Sequence, residues 1–335
     1  MKTVDVTQIN KKLIELGREP IILVRDTYPE IRLNEERTSL VDQYGNPIGT
    51  KGDMYQKLIL DEILQKGCLD YNPRPKYDSD GTPAHSLSVN HSFDYAVTYD
   101  LSKGEFPIIT LRKTAIKSGV GEILWIYRDQ TTDLKILNEK YGVNWWNRWD
   151  IGDGTIGMTY GAIIRRHDLM NILLKELKEN PDGRRHNINM WQVEDYSEDH
   201  GLKPCAYLTE WNIRHERDGV DYLDMKLTQR SSDFPTAGAI NQVQYVAFQY
   251  MVAQHLDIKP GRFTWSPDNV QIYTRHINQA IELLNRDPVD CKPHLELNPE
   301  IKDFYDFEVD DIKLIDYPRK EIAEKNKKLT FEIAV

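Results

Sequence analysis

The sequence predicts an α+β fold, in which a large mixed or antiparallel sheet is packed against helices. Segments with strand patterns and segments with helix patterns are interspersed along the chain, without the regular strand–helix–strand repeat of a parallel sheet. The Asp218-Gly219 pair lies between two strand-like segments, 206–215 and 222–229, which is typical of an antiparallel hairpin. A chain of 335 residues can bury a large core without disulfides or a structural metal.

The individual elements follow from periodicity and from turn residues. Gly67 and the Asn-Pro-Asp-Gly run at 180–183 are predicted helix ends, and the stretch 70–84, rich in Pro, Asp and Gly, predicts a loop. Apolar residues at helical spacing predict helices over 54–66, 115–127, 132–141, 167–179, 240–256 and 277–285. Strands are predicted within 87–101 and at 187–193, 206–215, 222–229, 270–274 and 329–334.

Two domain-level segments are predicted. Residues 1–50 mix a short apolar piece at 20–24 with charged and turn residues, so we expect an N-terminal extension or arm without a catalytic role. Residues 51–335 are expected to form one catalytic domain.

Composition and charge restrict the function classes. The chain has 43 basic and 53 acidic residues and a net charge of −10, which argues against a general nucleic-acid or anionic-membrane binder. Its three cysteines, with no Cys-x-x-Cys pair, predict neither a disulfide framework nor a metal site. The polar start, residues 1–10, and the absence of a long apolar run predict a cytoplasmic location without membrane contact.

Cys205 is the first candidate for chemistry, because it follows a proline where a loop enters a predicted strand. A free cysteine is more often a buried core residue than a nucleophile. However, Arg184 and Arg185 precede one strand, and Arg230 and Ser231 end another, so we expect them near Cys205 at one rim of the sheet. Guanidinium groups and hydroxyls bind phosphate, and a nearby cation lowers the pKa of a thiol. A surface salt bridge is the alternative for each arginine.

Several segments together resemble motifs of the thymidylate synthase family. They occur in the family's order and spacing, and the similarity extends from about Met54 to Val335. The segments are a helix with a catalytic glutamate at 122–125, cofactor-side loops at 146–149 and 154–161, a double-arginine loop at 180–185, a nucleophile loop at 202–207, a phosphate-binding stretch at 229–233, and an ending at 306–308 and 334–335.

The resemblance implies methylation of deoxyuridylate at C5, with 5,10-methylenetetrahydrofolate as carbon donor and reductant and with no metal. Cys205 would add to C6 of uracil, since this addition turns the ring into an enolate whose C5 can attack the methylene carbon. Glu122 would organise proton transfer at O4 through water, and Tyr160 would assist removal of the C5 proton. Asn241 would pair with O4 and N3–H of uracil, although a capping role at the start of the helix predicted from 240 is equally good chemistry.

The resemblance also implies two sets of binding residues and a homodimer formed through the sheet, in which Arg184 and Arg185 reach the partner site. The nucleotide phosphate would be held by Arg74, Arg184, Arg185, Arg230 and Ser231, and the ribose by Tyr273 with Gln271. The folate would be bound by Trp146, Asp233, Arg112 and Val335. Arg112 would meet the glutamate tail, and a plain surface role is the alternative for it.

Three positions depart from the family pattern, and they keep other functions open. Ala206 and Gln271 stand where histidine is usual, and the loop 234–240 lacks the usual Leu-Gly-x-Pro-Phe pattern. The second hypothesis is therefore a hydroxymethylase of deoxyuridylate or deoxycytidylate, in which water attacks the exocyclic methylene without folate oxidation. Asn241 indicates uracil, and Trp146 with Val335 favours hydride transfer. The third hypothesis is an inactive relative that binds RNA or acts as a structural dimer, against which the negative charge argues.

Overall fold

The computed structural model of the chain describes residues 1–71, 74–90, 96–197 and 201–335. Parts of the predicted loop 70–84 and of the predicted strands within 87–101 therefore lie outside the described residues. The helices are α1 Thr7–Glu15, α2 Lys51–Lys66, α3 Ile116–Ile123, α4 Leu134–Tyr141, α5 Tyr160–Arg166, α6 Leu169–Glu179, α7 Ala239–His255, α8 Ile277–Asn285 and α9 Arg319–Lys325. The strands are β1 Lys2–Thr3, β2 Thr27–Tyr28, β3 Leu40–Val41, β4 Pro47–Ile48, β5 Cys68–Asp70, β6 Ser86–Asn90, β7 Val97–Asp100, β8 Asn187–Asn189, β9 Ala206–His215, β10 Asp221–Asp233, β11 Lys259–Tyr273, β12 His294–Leu297 and β13 Ile312–Ile315.

The main sheet confirms the predicted α+β class. Within the described ranges it has seven strands in the order β5-β6-β11-β10-β9-β8, with β7 also paired to β11. The sheet is mixed, because β10 and β11 are parallel while the other pairs are antiparallel. Strand β11 is three times as long as the predicted strand 270–274, since Pro260, Gly261 and Pro267 interrupt the alternating pattern that strand prediction relies on.

Helix α7 is the central helix, and it is apolar around most of its circumference, as expected for a helix surrounded by protein. It packs against α3, and a Cβ added at Gly119 of α3 would lie 2.9 Å from the Ile240 side chain. Glycine at that position therefore permits a close approach of the two helices. No helix in the described residues is long and apolar enough to cross a membrane.

Local capping explains several differences between predicted and observed bounds. Thr50 and Asp53 form a capping box, so α2 begins at Lys51 rather than at 54. The Asp133 carboxylate accepts the N–H groups of Lys135 and Ile136, so α4 begins later than predicted. Helix α5 was not predicted, and the predicted strand 187–193 ends at Asn189. The predicted last strand, 329–334, is wrong: it pairs through a single bridge between Ala334 and Tyr77.

The N-terminal 50 residues form α1 and four short strands that pack against the rest of the chain. Asp61 of α2 receives Lys2 Nζ and the Tyr28 hydroxyl at 2.5 Å each. The Tyr28 ring is fully buried, and Asn285 of α8 donates to the carbonyl of Thr27. These contacts join the N-terminal segment to α2 and α8.

Candidate active site

Several residues of the predicted site lie together along one edge of the main sheet, where strands β10 and β11 end. Strands β10 and β11 are parallel, so their C-terminal residues, 230–233 and 271–273, lie at the same edge. Strand β9 is antiparallel to β10 and begins there, with Cys205 immediately before it. The backbone N–H of Arg230 donates to the carbonyl of Cys205 at 2.9 Å. The sheet thus brings together residues that are distant in sequence.

The Arg230 guanidinium holds the loop that carries Cys205. It donates to the carbonyls of Pro204 (2.9 Å) and Lys203 (2.8 Å), and its Nη2 lies 3.6 Å from Cys205 Sγ. It also lies 5.7 Å from the centre of the Trp191 ring. Burial raises the pKa of the Cys205 thiol, and the charge of Arg230 opposes this rise. The sequence argument predicted a lowered pKa; in the free protein, desolvation of the thiolate outweighs the cation.

Tyr160 connects Cys205 to the tryptophan-rich segment 145–149. Its hydroxyl accepts the backbone N–H of Cys205 at 2.9 Å, and its ring packs edge-on against Trp146 at 5.2 Å. Burial raises the pKa of Tyr160 well above its ordinary value, and the nearby Cys205 adds to the rise. The backbone of Tyr160 has a φ of +37°, an uncommon conformation for a non-glycine residue that the surrounding packing must stabilise.

Glu122 is buried on α3 and accepts N–H donors on both carboxylate oxygens. Oε2 accepts the indole N–H groups of Trp145 (2.5 Å) and Trp146 (2.7 Å), and Oε1 accepts the amide of Gln244 on α7 (2.9 Å). Burial raises the pKa of Glu122, and these donors oppose the rise. Sequence reasoning named Trp146 but missed Trp145 and Gln244. Gln244 lies three residues after Asn241, so the helical period places both on one face.

Asn241 is the third residue of α7, which begins one residue earlier than predicted. Gly238 occupies the N-cap position, because a π-helical turn over Phe234–Gly238 leads directly into α7. The capping alternative for Asn241 is therefore wrong. Its amide makes no hydrogen bond to any residue that the structure describes, so it is available to a ligand.

A hydrogen bond connects the ends of β10 and β11. Ser231 Oγ donates to Gln271 Oε1 at 3.3 Å, and the Gln271 side chain lies beside Tyr273 and opposes the rise in the pKa of that tyrosine. Burial raises the pKa of Tyr273, so its hydroxyl stays protonated. The predicted phosphate residue and the predicted ribose residue are thus joined through Gln271.

Arg184 and Arg185 are not at this edge within one chain. Strand β8 runs antiparallel to β9, with Asn187 opposite Glu210, and the chain enters β8 from the far end of β9. With a rise of about 3.3 Å per residue, Arg185 lies roughly 20 Å from Cys205. The expectation that both arginines neighbour Cys205 is therefore wrong for a single chain, since it overlooked the direction of β8. Both side chains are exposed, as is Arg74.

Two of the predicted folate residues, Arg112 and Asp233, lie at the end of β10. Arg112 Nη2 donates to the carbonyl of Thr236 at 2.5 Å, and its guanidinium lies 5.0 Å from the Phe331 ring. Burial lowers the pKa of Arg112 to about 10, and Asp233 opposes this. Arg112 is partly buried and its Nε is inaccessible, so these contacts do not support the plain surface role. Asp233 Oδ1, Thr236 Oγ1 and Arg112 Nε are buried without a hydrogen-bond partner among the described residues, and Asp233 Oδ1 lies 3.9 Å from His276 Nδ1. Unmet hydrogen-bonding capacity of this kind is a feature of ligand sites.

Val335 lies at the end of the chain with 37% of its surface exposed, and its backbone pairs with Lys76. Cys68, Cys205 and Cys291 are all free thiols. No cluster of potential metal ligands occurs in the described part of the chain.

Comparisons with known proteins agree with this arrangement. A family model described as thymidylate synthase matches residues 53–333. A thymidylate synthase of Streptococcus pneumoniae is 47% identical over 270 residues, which cover 80% of this chain and 95% of that protein. One from Streptococcus gordonii has the same identity and coverage. The solved structure of thermostable thymidylate synthase A from Bacillus subtilis is 35% identical, with a TM-score of 0.74, and the match covers 85% of this chain and 99% of that one.

Proposed function

The chain belongs to the thymidylate synthase family, and from that premise we propose that it methylates deoxyuridylate at C5 to give thymidylate. The observation that carries the proposal is the continuous set of contacts from Arg230 through Cys205, Tyr160 and Trp146 to Glu122. These contacts support a site with a nucleophile, a nearby cation and a buried carboxylate, which are the groups that covalent catalysis on a pyrimidine requires.

Cys205 begins the reaction by forming a bond from Sγ to C6 of uracil, and the electron pair of the C5–C6 bond moves toward O4. The free thiol has a raised pKa, so the thiolate must be stabilised when the nucleotide binds. Arg230 is placed to do this, because its Nη2 already lies 3.6 Å from the sulfur. C5 then becomes the nucleophile that forms the new carbon–carbon bond.

Glu122 and Tyr160 handle protons around the ring. Glu122 accepts three N–H donors, which hold its carboxylate in one orientation, and we propose that it exchanges a proton with O4 through water. Tyr160 lies next to Cys205 and assists removal of the C5 proton. Loss of this proton allows the bond between the methylene carbon and the folate nitrogen to break, with that nitrogen as the leaving group. Once a hydride from the folate has converted the methylene to a methyl group, the C6–Sγ bond breaks, the C5–C6 double bond re-forms and Cys205 is regenerated.

The nucleotide is oriented by groups at the same edge. We propose that Arg230, Ser231 and Arg74 bind the phosphate, that Tyr273 and Gln271 bind the ribose, and that the unpaired amide of Asn241 reads O4 and N3–H of uracil. The hydrogen bond from Ser231 to Gln271 supports the proposal that glutamine replaces histidine here, since Gln271 lies between the proposed phosphate and ribose residues.

The cosubstrate is 5,10-methylenetetrahydrofolate, which supplies the one-carbon unit and the hydride when it is bound. Buried polar atoms of Asp233, Arg112 and Thr236 lack hydrogen-bond partners among the described residues, which supports a folate site there. We propose that Trp146 and Val335 close over the folate and exclude water. Because water is the competitor for the methylene carbon, their exclusion of water favours methylation over hydroxymethylation. The comparisons also do not favour a hydroxymethylase.

A second copy of the chain is required to complete the phosphate site. Arg184 and Arg185 are too far from Cys205 in their own chain, so we propose a homodimer that packs sheet against sheet and brings both arginines to the partner's phosphate site. Within each protomer, residues 1–50 act as an arm on a single catalytic domain spanning 51–335.

Product analysis tests the function. Purified protein with deoxyuridylate and methylenetetrahydrofolate is expected to give thymidylate and dihydrofolate, detected by mass spectrometry and absorbance. Cys205→Ala should abolish turnover yet keep nucleotide binding, whereas the matched control Cys68→Ala, at an exposed thiol, should retain activity. A 5-hydroxymethyl product without folate oxidation would overturn the assignment in favour of the hydroxymethylase, and methylation by Cys205→Ala would overturn the role of Cys205.

A further inference from the structure

The last residues of the chain lie along the loop that carries Arg74. We call residues 329–335 the tail and residues 74–82 the phosphate loop. The backbone of Val335 both donates to and accepts from that of Lys76 at 2.8 Å, and Asp78 N–H donates to the carbonyl of Ile333 at 2.9 Å. The tail that ends at the folate site is therefore paired with the loop that ends at the phosphate site.

Arg275 connects the two segments through its side chain. Its Nη2 donates to Asp80 (2.6 Å) and Thr82 (3.0 Å) of the phosphate loop, while Nη1 donates to both oxygens of Glu332 in the tail at 3.1 Å. The guanidinium also lies 4.0 Å from the Tyr77 ring centre. A planar fork can serve two carboxylates in this way, and a lysine ammonium cannot match its geometry.

The position of Arg275 is fixed by the nucleotide side of the site. It lies two residues after Tyr273, in the turn that follows β11, and its backbone N–H donates to the Tyr77 hydroxyl at 3.2 Å. The Tyr77 ring is buried and packs edge-on against Tyr273 at 6.2 Å. A movement of the phosphate loop therefore displaces Arg275, and with it Glu332, to which Arg275 is bonded.

We propose that Arg275 is a positioning residue that couples the phosphate loop to the tail, so that nucleotide binding stabilises the tail in its place over the folate. This inference rests on the proposed function, since Arg74 must bind the phosphate and Val335 must cover the folate. Arg275, Asp80 and Glu332 are 36%, 43% and 28% exposed in their side chains. Each ion pair alone therefore contributes little stability. We attribute the coupling to the one guanidinium that bridges both carboxylates.

The kinetic test compares Arg275→Gln with the matched control Arg217→Gln, an exposed arginine in the hairpin at the opposite end of the sheet. Arg275→Gln is expected to raise the KM for folate about fivefold to tenfold, as loss of a small ion-pair network allows. The nucleotide Kd, measured without folate, should rise by no more than the same factor, because the coupling between two sites is reciprocal. An unchanged KM for folate would overturn the proposal.

A second readout needs no turnover. Carboxypeptidase should release Val335 more slowly from the wild-type protein when deoxyuridylate is present, and this protection should be lost in Arg275→Gln and kept in Arg217→Gln. Equal protection in wild type and Arg275→Gln would overturn the coupling, as would no protection in wild type. Glu332→Gln should reproduce the loss, and the double variant should add little to the loss in Arg275→Gln, since both variants remove the ion pair between Arg275 and Glu332. Glu332→Gln also weakens the contact of Glu332 with the Ser79 hydroxyl of the phosphate loop. A wild-type protein that makes no thymidylate would instead contradict the proposed function, so the two failures are distinguishable.

Discussion

Replacement of Trp145 by Phe should move the pH dependence of the reaction, because Trp145 donates to the carboxylate of Glu122 at 2.5 Å. Burial raises the pKa of Glu122, and the donors on Trp146, Trp145 and Gln244 oppose that rise. A hydrogen bond to a charged group is worth about 1.5–3 kcal/mol. Since one pKa unit corresponds to about 1.4 kcal/mol, loss of the Trp145 donor should raise the pKa of Glu122 by about one to two units.

The assay is the pH dependence of kcat/KM for deoxyuridylate at saturating folate. If Glu122 works as the carboxylate that its donors indicate, activity falls as pH drops through its pKa, and in Trp145→Phe this acidic limb should move about one to two units toward higher pH. Trp149→Phe is the matched control, because Trp149 packs against Trp146 without a hydrogen bond to Glu122. An acidic limb that stays at the wild-type position, or that moves to lower pH, would refute the reasoning.

The free energy of unfolding should also depend on pH through the raised pKa of Glu122. A carboxyl whose pKa is raised by folding contributes stability below its unfolded pKa, and this contribution is lost as pH rises through the folded pKa. Trp145→Phe raises the pKa of Glu122 in the folded state further, because it removes a hydrogen bond that stabilises the carboxylate. The variant should therefore be less stable than wild type mainly at pH values above the pKa of Glu122, and the difference should shrink in acid. Denaturant unfolding at two pH values measures this.

Two further predictions concern the base and the dimer. Asn241→Asp should improve kcat/KM for deoxycytidylate relative to deoxyuridylate, because the carboxyl can accept from the cytosine amino group; an unchanged ratio would mean that position 241 does not read the base edge. Refolding Cys205→Ala together with a chain carrying Arg184→Ala and Arg185→Ala should recover roughly a quarter of wild-type activity, since half of the dimers are hybrids with one intact site. Mixtures no more active than their parents would contradict a shared site.

The sequence predicts the elements that carry strong periodicity, and it fails where tertiary contacts decide. Strand β9 and helix α8 match the predicted bounds because their patterns are uninterrupted. Most of β11 was missed because its prolines and glycine conceal a strand that pairs with β10 from Lys259 to Gln271. The predicted strand 329–334 has the right composition, yet its backbone pairs only briefly with the phosphate loop. Whether an apolar segment finds a partner strand is a property of the fold, not of the segment.

The same distinction between local sequence features and tertiary contacts applies to the site residues. The sequence indicated Cys205 and Arg230, because a cysteine at a strand start and an arginine at a strand end are local features. The sharing of the Glu122 carboxylate by Trp145 and Gln244 could not be predicted, since it depends on the packing of α3 against α7. The direction of β8, which separates Arg185 from Cys205, likewise depends on pairing.

Arg230 has two roles that one cation can fill only because guanidinium has several donors. In the free protein its Nε and Nη2 bind the carbonyls of Pro204 and Lys203, which fixes the loop in front of Cys205. Its Nη2 also lies 3.6 Å from the sulfur, so one guanidinium both fixes the loop and supplies the positive charge that opposes the rise in the pKa of the Cys205 thiol. The same group therefore holds the nucleophile in position and favours its thiolate.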